Sequence, residues 1–231
     1  KLIKILMNKK TKSILFVVNV DWFFVSHRLP IAIEALKKGY EVNLICKVTD
    51  FRKYITNKGI ILHDWDLERS SINPLTSIQS IFKLLIKIRK IKPDLIHAIS
   101  MKAVAYCIIV NLILKNYPVI YSIAGLGYAY SKDNFKTKFI RNILNKIFKT
   151  LNFKDNYHFI FQNNFDQSKF IRISNIPKYK TTLIPGSGVD LNIYKPIKKK
   201  QTLTNKPVFL FAARLLKSKG ILEFINAAKE F

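Results

Sequence analysis

Short apolar runs of strand length alternate with longer segments of helical spacing, and this alternation restricts the fold more than any other feature of the chain. Residues 13–19 (SILFVVN) form a continuous, β-branched run, the pattern of a strand buried on both faces of a parallel sheet. A helix is predicted over 26–38, with Leu29, Ile33 and Leu36 on one face and Gly39 at the C-cap position. The same reasoning predicts strands at 40–46, 60–63, 94–99, 118–124, 157–162 and 182–185. Helices are predicted at 50–58, 73–91, 102–115, 135–153 and 165–174. Repeated strand–helix pairs make βαβ units, so the fold class is α/β with a doubly wound parallel sheet.

The pattern changes after residue 185. Residues 186–207 (GSGVDLNIYKPIKKKQTLTNKP) are rich in turn formers and lysine and read as a linker. Beyond it, 208–213 (VFLFAA) has strand character and a helix is predicted from Ser218 to the end. A single βα unit cannot bury its own faces. The expected organisation is therefore an N-terminal Rossmann-like domain over 1–185, a linker over 186–207, and the start of a second domain over 208–231.

Composition excludes several classes. The chain is 49% hydrophobic and 13% aromatic, which is ample for a packed core and too apolar for general disorder. Its two cysteines, Cys46 and Cys107, lie in apolar runs and read as buried free thiols. No Cys/His spacing suits zinc, and no metal site is expected. No apolar run reaches a membrane span: the longest, 103–114, contains Asn111. The first residues, KLIKILMNKK, lack the sustained apolar core of a signal peptide, so the expected location is cytoplasmic. Forty basic residues against 14 acidic ones give a net charge of +26. A polyanionic partner would explain that excess, as would a solvated lysine surface from AT-rich codons, since only seven of the cations are arginine. With arginine forks scarce and no recognised binding motif, nucleic acid is not the expected partner.

Ligands of open parallel sheets bind beyond the carboxyl ends of the strands. Residues 19–24, 97–102, 125–128 and 162–164 fall at such ends. The loop after the first strand is NVDWFF rather than GxGxxG, and no GxxxxGK[ST] occurs, which argues against dinucleotide-binding dehydrogenases and P-loop enzymes. The sharpest constellation is AARLLKSKG at 212–220. There Arg214, Lys217 and Lys219 flank a helix N-terminus, a grouping suited to a diphosphate; without a family it reads equally as three surface cations at a loop.

Five stretches carry a resemblance: FFVSHRLPIA (23–32), KPDLIHAISMKA (92–103), IAGLGYAYS (123–131), IPGSGVDLNIYKP (184–196) and FAARLLKSKGILEFINAAK (211–229). In order and spacing they resemble family-4-type GT-B glycosyltransferases, in particular bacterial members that assemble polysaccharide, lipopolysaccharide and lipid-linked glycans. The resemblance covers nearly the whole chain. It implies a retaining transferase that moves a sugar from a nucleotide-diphosphate donor, a UDP-sugar, to a lipid-linked or polysaccharide acceptor without metal or cofactor. Arg214 and Lys219 match the family's donor-diphosphate pair, and Gly186, Gly188 and Asp190 match the crossover turn. His97 matches the first histidine of the strand-end motif and is the acceptor-side catalytic candidate. Asp21, His27, Ser100, Lys102, Gly125 and Gly127 are candidates for substrate-facing loops.

The chain also departs from the pattern. Ile99 stands where a second histidine is common, and Asp21 to Phe24 replace a glycine-rich loop. The glutamate pair of the donor domain is absent, because Glu223 and Glu230 come too early and are seven positions apart. The expectation is a chain truncated in its donor domain, without independent activity. Two rivals remain: a GT-B-like module that binds anionic membranes without catalysing transfer, and a GT-B relative such as a sugar-nucleotide epimerase. The helix over 135–151 bears on the first. Its apolar stripe (Phe135, Phe139, Ile140, Ile143, Leu144, Ile147, Phe148, Leu151) and opposite basic face suit either an anionic membrane surface at the inner face of the plasma membrane or ordinary packing on the sheet.

Overall fold

The computed structural model describes residues 11–68, 73–114, 117–127, 130, 133–153, 155–196, 208–213, 215 and 217–230. The chain divides into two compact units, Lys1–Gly188 and Val189–Phe231.

The first unit is built on seven parallel strands: β1 (Ser13–Val20), β2 (Glu41–Lys47), β3 (Ile61–Asp64), β4 (Leu95–Ile99), β5 (Val119–Ile123), β6 (Tyr157–Phe161) and β7 (Thr181–Leu183). Their order in the sheet is β3-β2-β1-β4-β5-β6-β7. The chain winds outward from β1 to β3, then returns to place β4 on the other side of β1. The β1/β4 boundary is thus the topological switch point of the sheet. The expected doubly wound parallel sheet is the observed fold.

Helices lie on both faces of the sheet. On one side α1 (Asp21–His27), α2 (Leu29–Lys37) and α3 (Arg52–Thr56) pack on β1 and β2 through Phe16, Phe24, Leu44 and Ile55. On the other lie α4 (Pro74–Ile91), α5 (Met101–Leu114), α6 (Phe135–Lys149) and α7 (Asn164–Ser174). Their core is aromatic: Phe159 has ring centroids of Phe170 at 4.7 Å and Tyr121 at 5.0 Å, and Phe148 meets Phe170 at 4.8 Å. Trp65 is fully buried there and its indole N–H donates to the Ser80 carbonyl at 3.0 Å. Cys46 and Cys107 are free and buried, and burial pushes both thiols up, so neither is a ready nucleophile.

Local chemistry sets the boundaries. The predicted single helix over 26–38 is instead two helices, the first beginning at Asp21 immediately after β1. Pro30 has no N–H to continue the first helix, and it sits in the opening turn of α2, where none is needed. The break falls on Arg28, whose backbone leaves the helical region (φ −130°, ψ −14°). The predicted helix over 135–153 ends as α6 at Lys149 and continues as a 3-10 turn, Thr150–Phe153. Asn134 and Asn163 cap α6 and α7, through the backbone N–H of Thr137 and of Asp166. Asp133 immediately precedes the first of these caps. Lys92 and Asn175 close α4 and α7 in the left-handed conformation.

The second unit, taken by itself, holds a 3-10 turn, Lys217–Lys219, and α8 (Ile221–Glu230), with Phe211 and Phe224 in ring contact at 5.3 Å. The strand expected at 208–213 is not formed: these residues carry no ladder, and Val208, Phe209 and Leu210 are exposed. A parallel strand exists only against a neighbour that takes its N–H and C=O groups. The helix expected from Ser218 begins three residues later, at Ile221, after Gly220 at φ 81°.

Candidate active site at the carboxyl ends of the strands

A cleft of about 280 Å³ opens beyond the carboxyl ends of β4, β5 and β6, within the first unit. Its polar lining comes from Arg28, His97, Ser122, Gln162 and Ser187, and Gly186 and Gly188 form part of its rim. Each side chain is placed by the sheet or by a loop leaving it. His97 lies in β4 opposite Phe16 of β1 and Ile120 of β5, and Ser122 lies in β5 opposite Ile99. Gly186 and Gly188 have φ values of 72° and 69°, the left-handed backbone that glycine adopts without strain, and between them they hold Ser187.

His97 is buried, and its Nε2 shares a 2.7 Å hydrogen bond with Ser122 Oγ. Burial, assisted by the nearby Arg28 charge, pushes its pKa down to about 3. The imidazole is therefore neutral at physiological pH. It is suited to orienting a hydroxyl by hydrogen bonding and is a weak proton acceptor.

Arg28 is the residue whose importance sequence reading missed. It is only 6% exposed and lines the cleft from the break between α1 and α2. Its Nη1 donates to the His27 carbonyl at 3.1 Å and to Ser187 Oγ at 2.8 Å, while its Nε is buried without a partner. Burial lowers its pKa, yet a guanidinium stays protonated at any physiological pH. The available signal was Pro30 two residues downstream, which fixes the helix break. Ser122 and Ser187 carried no local signal, since only the sheet and the β7 loop bring them to His97 and Arg28. Gln162, read as part of a strand-end cluster, is in the lining, with Nε2 3.4 Å from Ser187 Oγ.

The other sequence candidates separate. Asp21 is fully buried and faces inward: its carboxylate accepts from Thr49 N–H and Thr49 Oγ, each at 2.6 Å, from Trp22 N–H at 2.8 Å and from Phe51 N–H at 3.2 Å. Burial raises its pKa, but those hydrogen bonds outweigh it and the net shift is downward. Its visible work is to tie the start of α1 to the segment after β2. His27 stacks on Phe23 at 4.4 Å and lies 2.6 Å from Ser26 Oγ, outside the cleft lining. Ser100, at φ 81°, stands just before α5 with a buried and unpartnered Oγ. Lys102, in the first turn of α5, donates from Nζ to the Glu68 carbonyl and lies over the Tyr106 ring. Gly127 takes a left-handed φ of 71°. Gly125 does not, and a Cβ there would meet only Asp166 Oδ2, at 4.0 Å. Asp190 closes a turn by accepting from the backbone of Asn192 and Tyr194, each at 2.8 Å. Lys219 is exposed in the second unit. Arg214 lies outside the described residues. Among the described residues no cluster of His, Cys, Asp or Glu could hold a metal ion.

Fold and cleft together define a class: a Rossmann-like α/β unit of GT-B type, with a largely apolar crevice at the strand ends that carries a few polar groups and no Asp or Glu among its described lining residues. Residues 13–163 match the family model described as glycosyl transferase 4-like, and the chain belongs to that family. A relative from Campylobacter jejuni, N,N'-diacetylbacillosaminyl-diphospho-undecaprenol alpha-1,3-N-acetylgalactosaminyltransferase, is 28% identical over 212 residues, covering 87% of this chain and 56% of the relative. Among solved structures, a glycosyltransferase from Rickettsia africae matches with TM-score 0.51 and 19% identity, covering 76% of this chain and 43% of that one. The UDP-GlcNAc 2-epimerase from Neisseria meningitidis bound to UDP-GlcNAc matches with TM-score 0.53 and 12% identity, covering 74% and 46%. At these identities the structural likeness is one of fold. The chain spans about half the length of the relatives it matches.

Proposed function

We propose that this chain is the acceptor-side part of a retaining glycosyltransferase that takes a sugar from a UDP-sugar and transfers it to a hydroxyl of a lipid-linked acceptor. The observation that carries the reading is the cleft itself: a neutral His97–Ser122 pair beside the buried Arg28 cation, at the strand ends where this fold class binds ligands. The family supports it, as does the Campylobacter relative, whose name describes N-acetylgalactosamine transfer onto a sugar carried by diphospho-undecaprenol. In the proposed reaction the bond from the anomeric carbon to the donor phosphate breaks and a bond to the acceptor oxygen forms. The hydroxyl proton leaves on the nucleoside diphosphate. A departing diphosphate that accepts that proton needs no strong protein base, which suits an imidazole with a pKa of about 3.

Residues 189–231 are assigned to the start of the donor domain, with Arg214 and Lys219 neutralising the diphosphate. The site of action is the cytoplasmic face of a membrane, where the chain docks by α6. The test, made on the chain joined to a complete donor domain, is transfer from radiolabelled UDP-sugars to a polyprenyl-diphosphate-linked sugar, with an acceptor-free control for epimerase-type turnover. Arg214→Ala is expected to lower transfer about 10²-fold. Turnover that ignores the acceptor would contradict the reading.

A further inference from the structure

We infer that Arg28, with Ser187, forms a binding site for a diphosphate ester in the cleft. The guanidinium is a buried charge, and no carboxylate pairs with it among the described residues. Among the described residues its hydrogen bonds go to two neutral oxygens, both from Nη1, while Nη2 makes none and Nε is buried without a partner. Such an arrangement is costly. Desolvating a cation without a counter-charge costs several kcal/mol, and arginine cannot escape by losing its proton. An anion entering the cleft would supply the missing charge.

The surroundings select the kind of anion. The other polar lining groups are the His97 imidazole, the Ser122 and Ser187 hydroxyls and the Gln162 amide, all neutral and all able to donate to an oxyanion. No Asp or Glu among the described residues lines the cleft to repel it. Ser187 orients the guanidinium in advance, and the glycines on either side of it leave open space where a bulky ligand could pass: a Cβ built on Gly186 or Gly188 meets nothing within 4 Å. A planar, multi-donor cation matches phosphate geometry, and diphosphate carries the charge to repay the burial.

Two sources offer this chemistry, the diphosphate of a nucleotide donor and that of a lipid-linked acceptor. Both Arg28 and Ser187 belong to the first unit, so the acceptor is the expected source, a choice that rests on the proposed function; the anion site does not.

Titration calorimetry on the full chain with inorganic pyrophosphate, UDP and farnesyl diphosphate tests both statements. Farnesyl diphosphate is expected to bind, and Arg28→Gln to weaken it about 10- to 100-fold, with UDP binding unaffected. Arg28→Lys, which keeps the charge but loses the fork, is expected to fall between and carries the test should Arg28→Gln unfold early. An Arg28 dependence confined to UDP would keep the anion site but assign it to the donor. Equal binding of all three probes by wild type and both variants would overturn it. Arg28-dependent binding, alongside donor turnover that ignores the acceptor once a complete donor domain is supplied, would reject the proposed function and keep the site.

Discussion

Arg28 Nη1 and Ser187 Oγ lie 2.8 Å apart, joining the break between α1 and α2 to the loop after β7 across 159 residues of sequence. The bond exists because Pro30 interrupts the helix at Arg28 and because two left-handed glycines fold the loop back over the strand ends. It closes one wall of the cleft.

The first consequence concerns coupling. Ser187→Ala removes the side-chain partner that a buried cation has among the described residues and is expected to cost about 1–3 kcal/mol in urea unfolding. In the background of Arg28→Gln the same change should cost much less. Additive losses in the four-member cycle would show that the two side chains act independently.

His97 predicts a pH dependence. Its folded pKa of about 3 lies below the ordinary value of 6.5, so between those limits the unfolded chain binds a proton that the folded chain refuses. The contribution is fully present above pH 6.5 and is lost as pH falls toward 3, at up to about 1.4 kcal/mol per pH unit. His97→Gln should flatten the slope of unfolding free energy between pH 6.5 and 5. An unchanged slope would place the titration elsewhere.

Asp21 separates structure from substrate contact. Asp21→Ala strands the backbone N–H groups of Thr49 and Phe51 and is expected to cost about 2–4 kcal/mol. The isosteric Asp21→Asn should recover part of that stability and leave farnesyl diphosphate binding near wild type. Binding that collapses in a well-folded Asn variant would return Asp21 to the site.

The apolar stripe of α6 divides between core and surface. Phe148 and Leu151 are buried and Ile140, Leu144 and Ile147 pack on the core, but Phe135, Phe139 and Ile143 face outward. Lys138 and Arg141 pair with Asp133, whereas Lys136, Lys146 and Lys149 are exposed and make no ion pair among the described residues. Exposed aromatics beside unpaired lysines suit an anionic bilayer. No described helix is long and apolar enough to cross one. Flotation with phosphatidylglycerol vesicles should show binding that weakens with salt and drops about tenfold or more in Phe135→Ser/Phe139→Ser. Equal affinity for neutral vesicles would remove the electrostatic part of the account.

The sheet was legible because buried parallel strands are continuous apolar runs: each of β1 to β7 lies within a residue or two of its prediction. The start of α1 was not, since DWFF after a strand reads as loop until the Asp21 carboxylate is seen holding Thr49 and Phe51. The strand expected at 208–213 had the right residues, but apolar character alone supplies no partner ladder. In the cleft, His97 was visible from its place at a strand end. Arg28 was hidden by sequence proximity to His27, which has the more suggestive chemistry but is not part of this cleft's lining. A contact between residues 28 and 187 belongs to the topology, and no local pattern announces it.

The central claim is that the crevice beyond β4, β5 and β6 receives the acceptor. Amide NMR of the isotopically labelled chain, titrated with a farnesyl-diphosphate-linked sugar, tests it most directly. The account predicts saturable shifts centred on His97, Ser122, Gln162 and the 186–188 loop, abolished by Arg28→Gln. Shifts confined to other surfaces, or a cleft that stays silent at saturation, would contradict it.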